Sequence, residues 1–285
     1  MASNATSPAE TIRRPPVAEI FQRSVSAHLP LEAFARLQMA TVLVAGLGGG
    51  SNIAELLARK GVGGFVLADP DVYEFHNVRQ RGSLASTWGR SKAEVLRERL
   101  LDVNPHARVR AVPEGVTLAN ARELVRASDY VVDMLDFHAL REKVALYRAA
   151  REAQKTVFTA PSVVNGAVLY VFAPESPSFE AFFGYDPTLP PGVVALRFLK
   201  RLIPRFPAEA PEPVYQAAAR GERTIPLDAV GVDQAAVLCV AAVENAILGR
   251  KERLLTVPRG LQVDLSDPAF LARTLDFSAD FEERR

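Results

Sequence analysis

The sequence predicts an α/β fold, a largely parallel sheet with helices on both faces and an antiparallel extension after it. Three observations carry this reading. Short β-branched runs alternate with helical stretches from residue 41 to residue 159, the pattern of a parallel sheet covered on both sides. One of these runs passes straight into a glycine cluster and then a helix. After Ala160 the alternation stops, and Gly166 to Ala173 reads as a strand in an antiparallel arrangement.

In order, Thr41 to Ala45 is the first strand, and Gly46-Leu-Gly-Gly-Gly-Ser51 follows it at once. Ile53, Leu56, Leu57 and Lys60 then fall at helical spacing, and Gly61 supplies the stop. Phe65 to Ala68 is a second strand ending on Asp69. Ser91 caps a helix that puts Ala93, Leu96 and Leu100 on one face and Glu94, Arg97 and Glu98 outward. Val109 to Val112, Tyr130 to Asp133 and Thr156 to Thr159 are further strands, separated by helices near Leu118 to Arg126 and Ala139 to Ala153. Pro204 to Pro213 holds four prolines in ten residues and reads as a surface loop. Ala229 to Leu248 is a long helix, apolar on nearly all sides until Glu244, which predicts deep burial.

Composition excludes several classes. The 285 residues are 48% apolar and 24% charged, as in an ordinary globular chain. Lys and Arg total 34 against 33 Asp and Glu, so the net charge of +1 offers no footprint for nucleic acid. The longest apolar run, Ala235 to Val243, is nine residues, far short of the roughly 20 of a membrane-spanning helix. Cys239 is the one cysteine; a single thiol fits a reducing, cytoplasmic setting and forbids zinc held by paired cysteines. Met1 to Glu10 has no apolar core and so reads as no secretory signal. Residues 1–20 are expected to be a disordered leader, with the disorder running through about Pro16. Residues 21–285 are expected to form one domain, with a nucleotide-binding half to about 165 and a substrate or dimer half beyond it.

The glycine cluster carries the first chemical signal. A strand, a Gly-x-Gly-Gly turn and a helix bring free backbone N–H groups and the positive end of a helix dipole together, which suits phosphate. Gly46, Gly48 and Gly49 would form that cradle, with Ser51 in the place of the fingerprint's third glycine. Asp69, at the end of the next strand, can accept from ribose hydroxyls. These residues alone are equally compatible with NAD and ATP.

The segment Asp69-Pro-Asp-Val-Tyr-Glu-Phe-His-Asn-Val-Arg-Gln80, followed by Gly89-Arg-Ser-Lys92, resembles the ThiF/MoeB/HesA adenylyltransferases, relatives of the ubiquitin-activating enzymes. Phe21-Gln-Arg23, Asn104-Pro105 and Asp133-Met-Leu-Asp136 with Arg141 resemble further elements of that family, in order, from about Phe21 to Tyr170. The resemblance implies a Rossmann-like ATP-binding fold and an ATP-dependent adenylyltransferase. Such an enzyme activates a carboxylate as an acyl adenylate with release of pyrophosphate. The carboxylate is generally the C-terminus of a ubiquitin-like sulfur carrier or of a peptide. Lys92 and Arg79 would contact the phosphates, Asp136 would hold Mg²⁺, Asp69 the ribose, and Asn77 and Gln80 the remaining polar contacts. Arg23 would reach into the partner's site, which implies a homodimer.

Two departures stand out. The family's Asn-x-x-Arg-Gln is one residue short here, as Asn77-Val-Arg79-Gln80, so either the turn is tightened or His76 takes the asparagine's place. The family's paired zinc cysteines and its thioester cysteine are absent, so no zinc is expected, and Cys239 among Val237, Leu238 and Val240 reads as a packing residue. The plainer readings are solvated surface charges for Lys92 and Arg79, and a helix cap for Asp136. The rival functions are a nucleotide-binding scaffold of the same fold, a tRNA-modifying relative and an NAD-dependent oxidoreductase.

Overall fold

The computed structural model describes residues 15–269 and 272–282. Helices α1 (Val17–Ile20) and α2 (Leu31–Met39) lead into an alternation of strands and helices. This runs β1 (Thr41–Ala45), α3 (Gly50–Arg59), β2 (Gly64–Ala68), α4 (Lys92–Val103), β3 (Arg108–Val112) and α5 (Ala121–Arg126). It continues through β4 (Tyr130–Asp133), α6 (Leu140–Glu152) and β5 (Val157–Thr159). The second half holds β6 (Ser162–Val163), β7 (Gly166–Phe172), α7 (Phe179–Phe183), α8 (Pro191–Leu202), α9 (Glu212–Ala219) and α10 (Ala229–Ile247). It closes with β8 (Arg259–Asp264), β9 (Ala272–Asp276) and α11 (Ala279–Glu282).

The sheet runs in the order β3-β2-β1-β4-β5-β7-β8-β9, with β6 paired to β7. Strands β1 to β5 are parallel, and the pairings from β5 to β7 onward are antiparallel. The expected α/β class, with its antiparallel extension, is what the chain adopts. The central strands are buried on both faces, so successive residues feed two separate cores. Leu43 and Ala45 point into the core beneath α5, α6, α7 and α8, while Val42 and Val44 point into the core beneath α2, α3, α4 and α10. The stretch Phe179 to Tyr185 sits in the first of these. Phe183 lies 4.6 Å, ring centre to ring centre, from Phe198, and Phe182 lies 5.1 Å from Tyr170.

Several expectations are corrected. Val17–Ile20, at the end of the expected leader, is a turn of helix, while residues 1–14 of that leader lie outside the described ones. The helix expected from Leu118 starts at Ala121, and Leu118 is exposed. In the proline-rich stretch Ala210 is buried and Pro213 falls in the first turn of α9, where its missing N–H costs nothing. Helix α10 is not deeply buried throughout. Ala235, Ala236, Cys239 and Val243 are buried in the core beneath α2, α3 and α4 and Val232 is buried too, whereas Val230 and Val237 are exposed. By length and composition α10 could cross a bilayer, yet half of it packs inside the fold. Cys239 is fully buried, and burial pushes its thiol well above the ordinary range.

Candidate functional site

In a parallel sheet ordered 3-2-1-4-5 the connections from β1 and β4 leave in opposite directions, and the crevice lies beyond the carboxyl ends of those strands. Gly46 follows β1, Asp69 follows β2 and Asp133 ends β4, so the three sequence signals meet at that crevice.

The turn after β1 is shaped by close backbone approach. Gly46 has φ +85°, and a Cβ there would lie 2.2 Å from the Met134 carbonyl oxygen, so only glycine fits. Its N–H donates to the Ala68 carbonyl at 2.8 Å. A Cβ on Gly50 would lie 2.8 Å from Val44 Cγ1, where α3 packs directly on β1. Gly50 thus permits the close helix–strand contact that the fingerprint's third glycine usually gives, with Ser51 in that glycine's own place. Ser51 turns its hydroxyl back to donate to the Gly48 carbonyl at 2.9 Å. Helix α3 starts with no side-chain cap, which leaves its first N–H groups available to an anion.

Asp69 is buried beside this turn. Its Oδ2 accepts the Leu47 N–H at 2.5 Å and its Oδ1 the Asp71 N–H at 2.8 Å. Burial pushes its carboxyl above the usual aspartate range, with the Lys92 charge and the two N–H groups pulling back. Ser91 caps α4, accepting from the Glu94 N–H, and this places Lys92 at the helix start. The Lys92 stem is buried, and its Nζ donates to Asp71 Oδ2 at 2.9 Å. Lys92 is thus no solvated surface charge.

Residues 74–80 close over the turn. Asn77 is buried and its Oδ1 accepts the Glu74 N–H at 3.1 Å, so its carbonyl is engaged in a capping box on a short 3₁₀ turn, Phe75–Asn77. His76 is exposed beside Glu74, with Nε2 and Oε2 3.2 Å apart. Gln80 lies over Gly48, where a Cβ would come within 3.4 Å of its Nε2. Gln80 is 3% exposed and its Oε1 has no partner among the described residues, an acceptor that a ligand hydroxyl or N–H would satisfy. The glycine cradle, Asp69 and this oxygen fit a nucleotide.

Asp133 and Asp136 end up in opposite settings. Asp133 is 1% exposed and takes both carboxylate bonds from Lys143 Nζ at 2.9 Å, while its Oδ1 also accepts the Leu135 N–H. Asp136 is exposed and its Oδ1 accepts the Phe137 N–H at 2.7 Å. It does not cap α6, which begins at Leu140 with Ala139 before it. The Asp136 charge acts on Arg79: partial burial lowers the guanidinium pKa and the carboxylate opposes it. Among the described residues no three His, Cys, Asp or Glu side chains gather as a metal cage. A single carboxylate such as Asp136 suits Mg²⁺ that is shared with phosphates.

Arg23 stands apart, exposed on the turn after α1, while Phe21 two residues earlier is buried 5.6 Å from Phe34. Sequence reasoning missed Asp71, Lys143, and a cluster of Asn52, Arg81 and Asp233. Asp71 was legible as the second acid of Asp69-Pro-Asp71. The cluster was not, because Arg81 and Asp233 are 152 residues apart.

The ThiF family model matches residues 21–256. The chain is 39% identical over 115 residues to the tRNA threonylcarbamoyladenosine dehydratase of Escherichia coli, covering 39% of this chain and 42% of that protein. It is 35% identical over 150 residues to the sulfur carrier protein ThiS adenylyltransferase of the same organism, covering 51% and 58%. Its alignment thus spans about half the length of these relatives. The solved structure of the E. coli dehydratase superposes with a TM-score of 0.61 at 21% identity, covering 83% of this chain and 97% of that one.

Proposed function

The chain belongs to the ThiF family, and from that premise we propose that it is an ATP-dependent adenylyltransferase acting on a carboxylate. One observation carries the reading: Gly46, Asp69, Gln80 and Lys92 meet at the strand ends, with the Asp136 charge acting on Arg79 beside them. A carboxylate oxygen attacks the α-phosphorus, the bond from that phosphorus to the bridging oxygen breaks, and pyrophosphate leaves with its electron pair. Negative charge accumulates on the phosphates throughout, so catalysis is chiefly positioning and neutralisation. The Gly48–Gly50 N–H groups and Lys92 hold the phosphates, Asp69 the ribose, and Gln80 a further polar group of the nucleotide. Arg79 neutralises charge as pyrophosphate departs. Asp136 would hold Mg²⁺, which supplies further charge neutralisation when bound. With its carbonyl engaged by Glu74, Asn77 shapes the turn and has its amide N–H₂ left for the ligand. Exposed Arg23 fits a role in a second subunit's site within a homodimer.

The acceptor we favour is the C-terminus of a ubiquitin-like carrier or a peptide. A second reading, a modified nucleoside in tRNA, is favoured by the 39% identity to a tRNA-modifying relative, and the net charge of +1 weighs against it. Exchange of labelled pyrophosphate into ATP separates them. Exchange that depends on a carrier or peptide with a free C-terminal carboxylate supports the first; exchange that depends on tRNA supports the second. ATP binding with no exchange on either class of acceptor favours the scaffold.

A further inference from the structure

Residues 74–90 carry Arg79 and Gln80, yet most of their hydrogen bonds are local. Glu74 bonds Asn77, Ser83 bonds Glu74, and Thr87 bonds Gly82 and Leu84. The segment also exposes Phe75, Val78, Leu84 and Trp88, so apolar burial holds it weakly. Its middle is tied to the rest of the protein at Arg81. There the backbone N–H donates to Asn52 Oδ1 at 3.1 Å and Nε donates to Asp233 Oδ1 at 3.0 Å. Asn52 Nδ2 closes the ring on the same Asp233 oxygen at 2.7 Å. Asn52 lies in the first turn of α3, is 1% exposed, and also accepts from the Ser51 hydroxyl at 3.1 Å.

We propose that Arg81 and Asp233 are positioning residues that latch residues 74–90 onto α3 and α10, and so set where Arg79 and Gln80 stand over the glycine turn. The inference rests on the adenylyltransferase reading for its consequence and on the hydrogen bonds for its geometry. Arg81 directly follows Gln80, so fixing its main chain fixes the path of both neighbours. Arg81 and Asp233 are half-exposed, and such a pair contributes little to global stability. What it supplies is place: one carboxylate oxygen holds a buried amide at the helix start and the guanidinium of the facing segment together. The second half of the chain therefore reaches residues 74–90 through an acid on α10.

Trp88, the one tryptophan, lies in this segment and is partly exposed, so its fluorescence reports the latch directly. The test compares acrylamide quenching of Trp88 and calorimetric Mg-ATP binding in the native chain, Arg81→Ala, Asp233→Asn and the double variant. Asp233→Asn keeps an acceptor for Asn52 and removes the charge. The expected result is quenching that rises in both single variants without nucleotide, and Mg-ATP affinity about tenfold weaker, as for loss of one charge-assisted bond. The double variant should be no worse than either single, since the two residues act as one unit. The melting temperature should hardly move. Unchanged quenching in both variants, or effects that simply add, would overturn the latch. If the native chain itself fails to bind Mg-ATP, the adenylyltransferase reading fails, while the quenching comparison still decides the latch.

Discussion

The side of the site formed by the glycine turn and α3 is set by close backbone packing, whereas the side formed by residues 74–90, though it has main-chain bonds of its own, is tied at its middle to the rest of the protein by side chains. Gly46 bonds the end of β2 through its N–H and leaves no room for a Cβ beneath Met134; Gly50 presses on Val44. Across from them Asn77, Arg81 and Thr87 hold their segment through amides, a guanidinium and a hydroxyl. The first arrangement tolerates almost no substitution and moves little. The second can be released one bond at a time, and it carries the cation Arg79. On the proposed reading, phosphate binding would rest on closely packed backbone, and the groups that answer charge development would sit on the adjustable side.

Substitutions sharpen that contrast. The largest loss is expected for Gly46→Ala, whose methyl would collide with the Met134 carbonyl at a positive φ. It should reach the roughly 4–5 kcal/mol at the far end of single-residue effects, read by urea unfolding; a mild loss would mean that the turn is softer than its geometry. Lys143→Ala comes next, because it leaves Asp133 buried without a counter-ion, at a cost of about 3–5 kcal/mol. Restoring stability by combining Lys143→Met with Asp133→Asn would show that the pair holds the strand end as a unit. Arg79→Ala and Asp136→Ala should leave unfolding unchanged and lower acceptor-dependent pyrophosphate exchange by roughly 10²–10³. Either variant melting early would move its residue to the rigid side.

The smallest effect concerns Asp69. Its folded pKa is raised by burial, so the acid binds its proton more tightly in the folded chain than in the unfolded one. Its contribution to stability is full below the ordinary aspartate pKa and is lost as pH rises through the folded value. Measured as the difference in melting temperature from Asp69→Asn, the native chain should lose ground as pH rises through that range. A difference that grows in the native chain's favour would reverse the sign and place the carboxylate in a wetter, better-paired setting.

The same contrast explains what the sequence disclosed. Gly46 and Asp69 were legible because a main-chain requirement leaves a fixed residue at a fixed spacing. That Gly50 lies against Val44 was not legible, since it depends on where α3 begins, which spacing alone does not settle. Lys92 was legible by its motif, but its partner Asp71 was read only as part of a string. Asp233 left no trace, because its meaning comes from α10 folding back on α3. The half-open face of α10 was misread for a related reason: Val230 and Val237 are as apolar as Val232 and Val243, and only packing decides which pair meets solvent.

The central claim is that these strand ends take ATP rather than a dinucleotide. Calorimetric titration of the native chain with ATP and with NAD, both with Mg²⁺ present, tests it most directly. The account predicts saturable ATP binding, weakened in Lys92→Ala, and no comparable heat from NAD. Tighter binding of NAD than of ATP would contradict it.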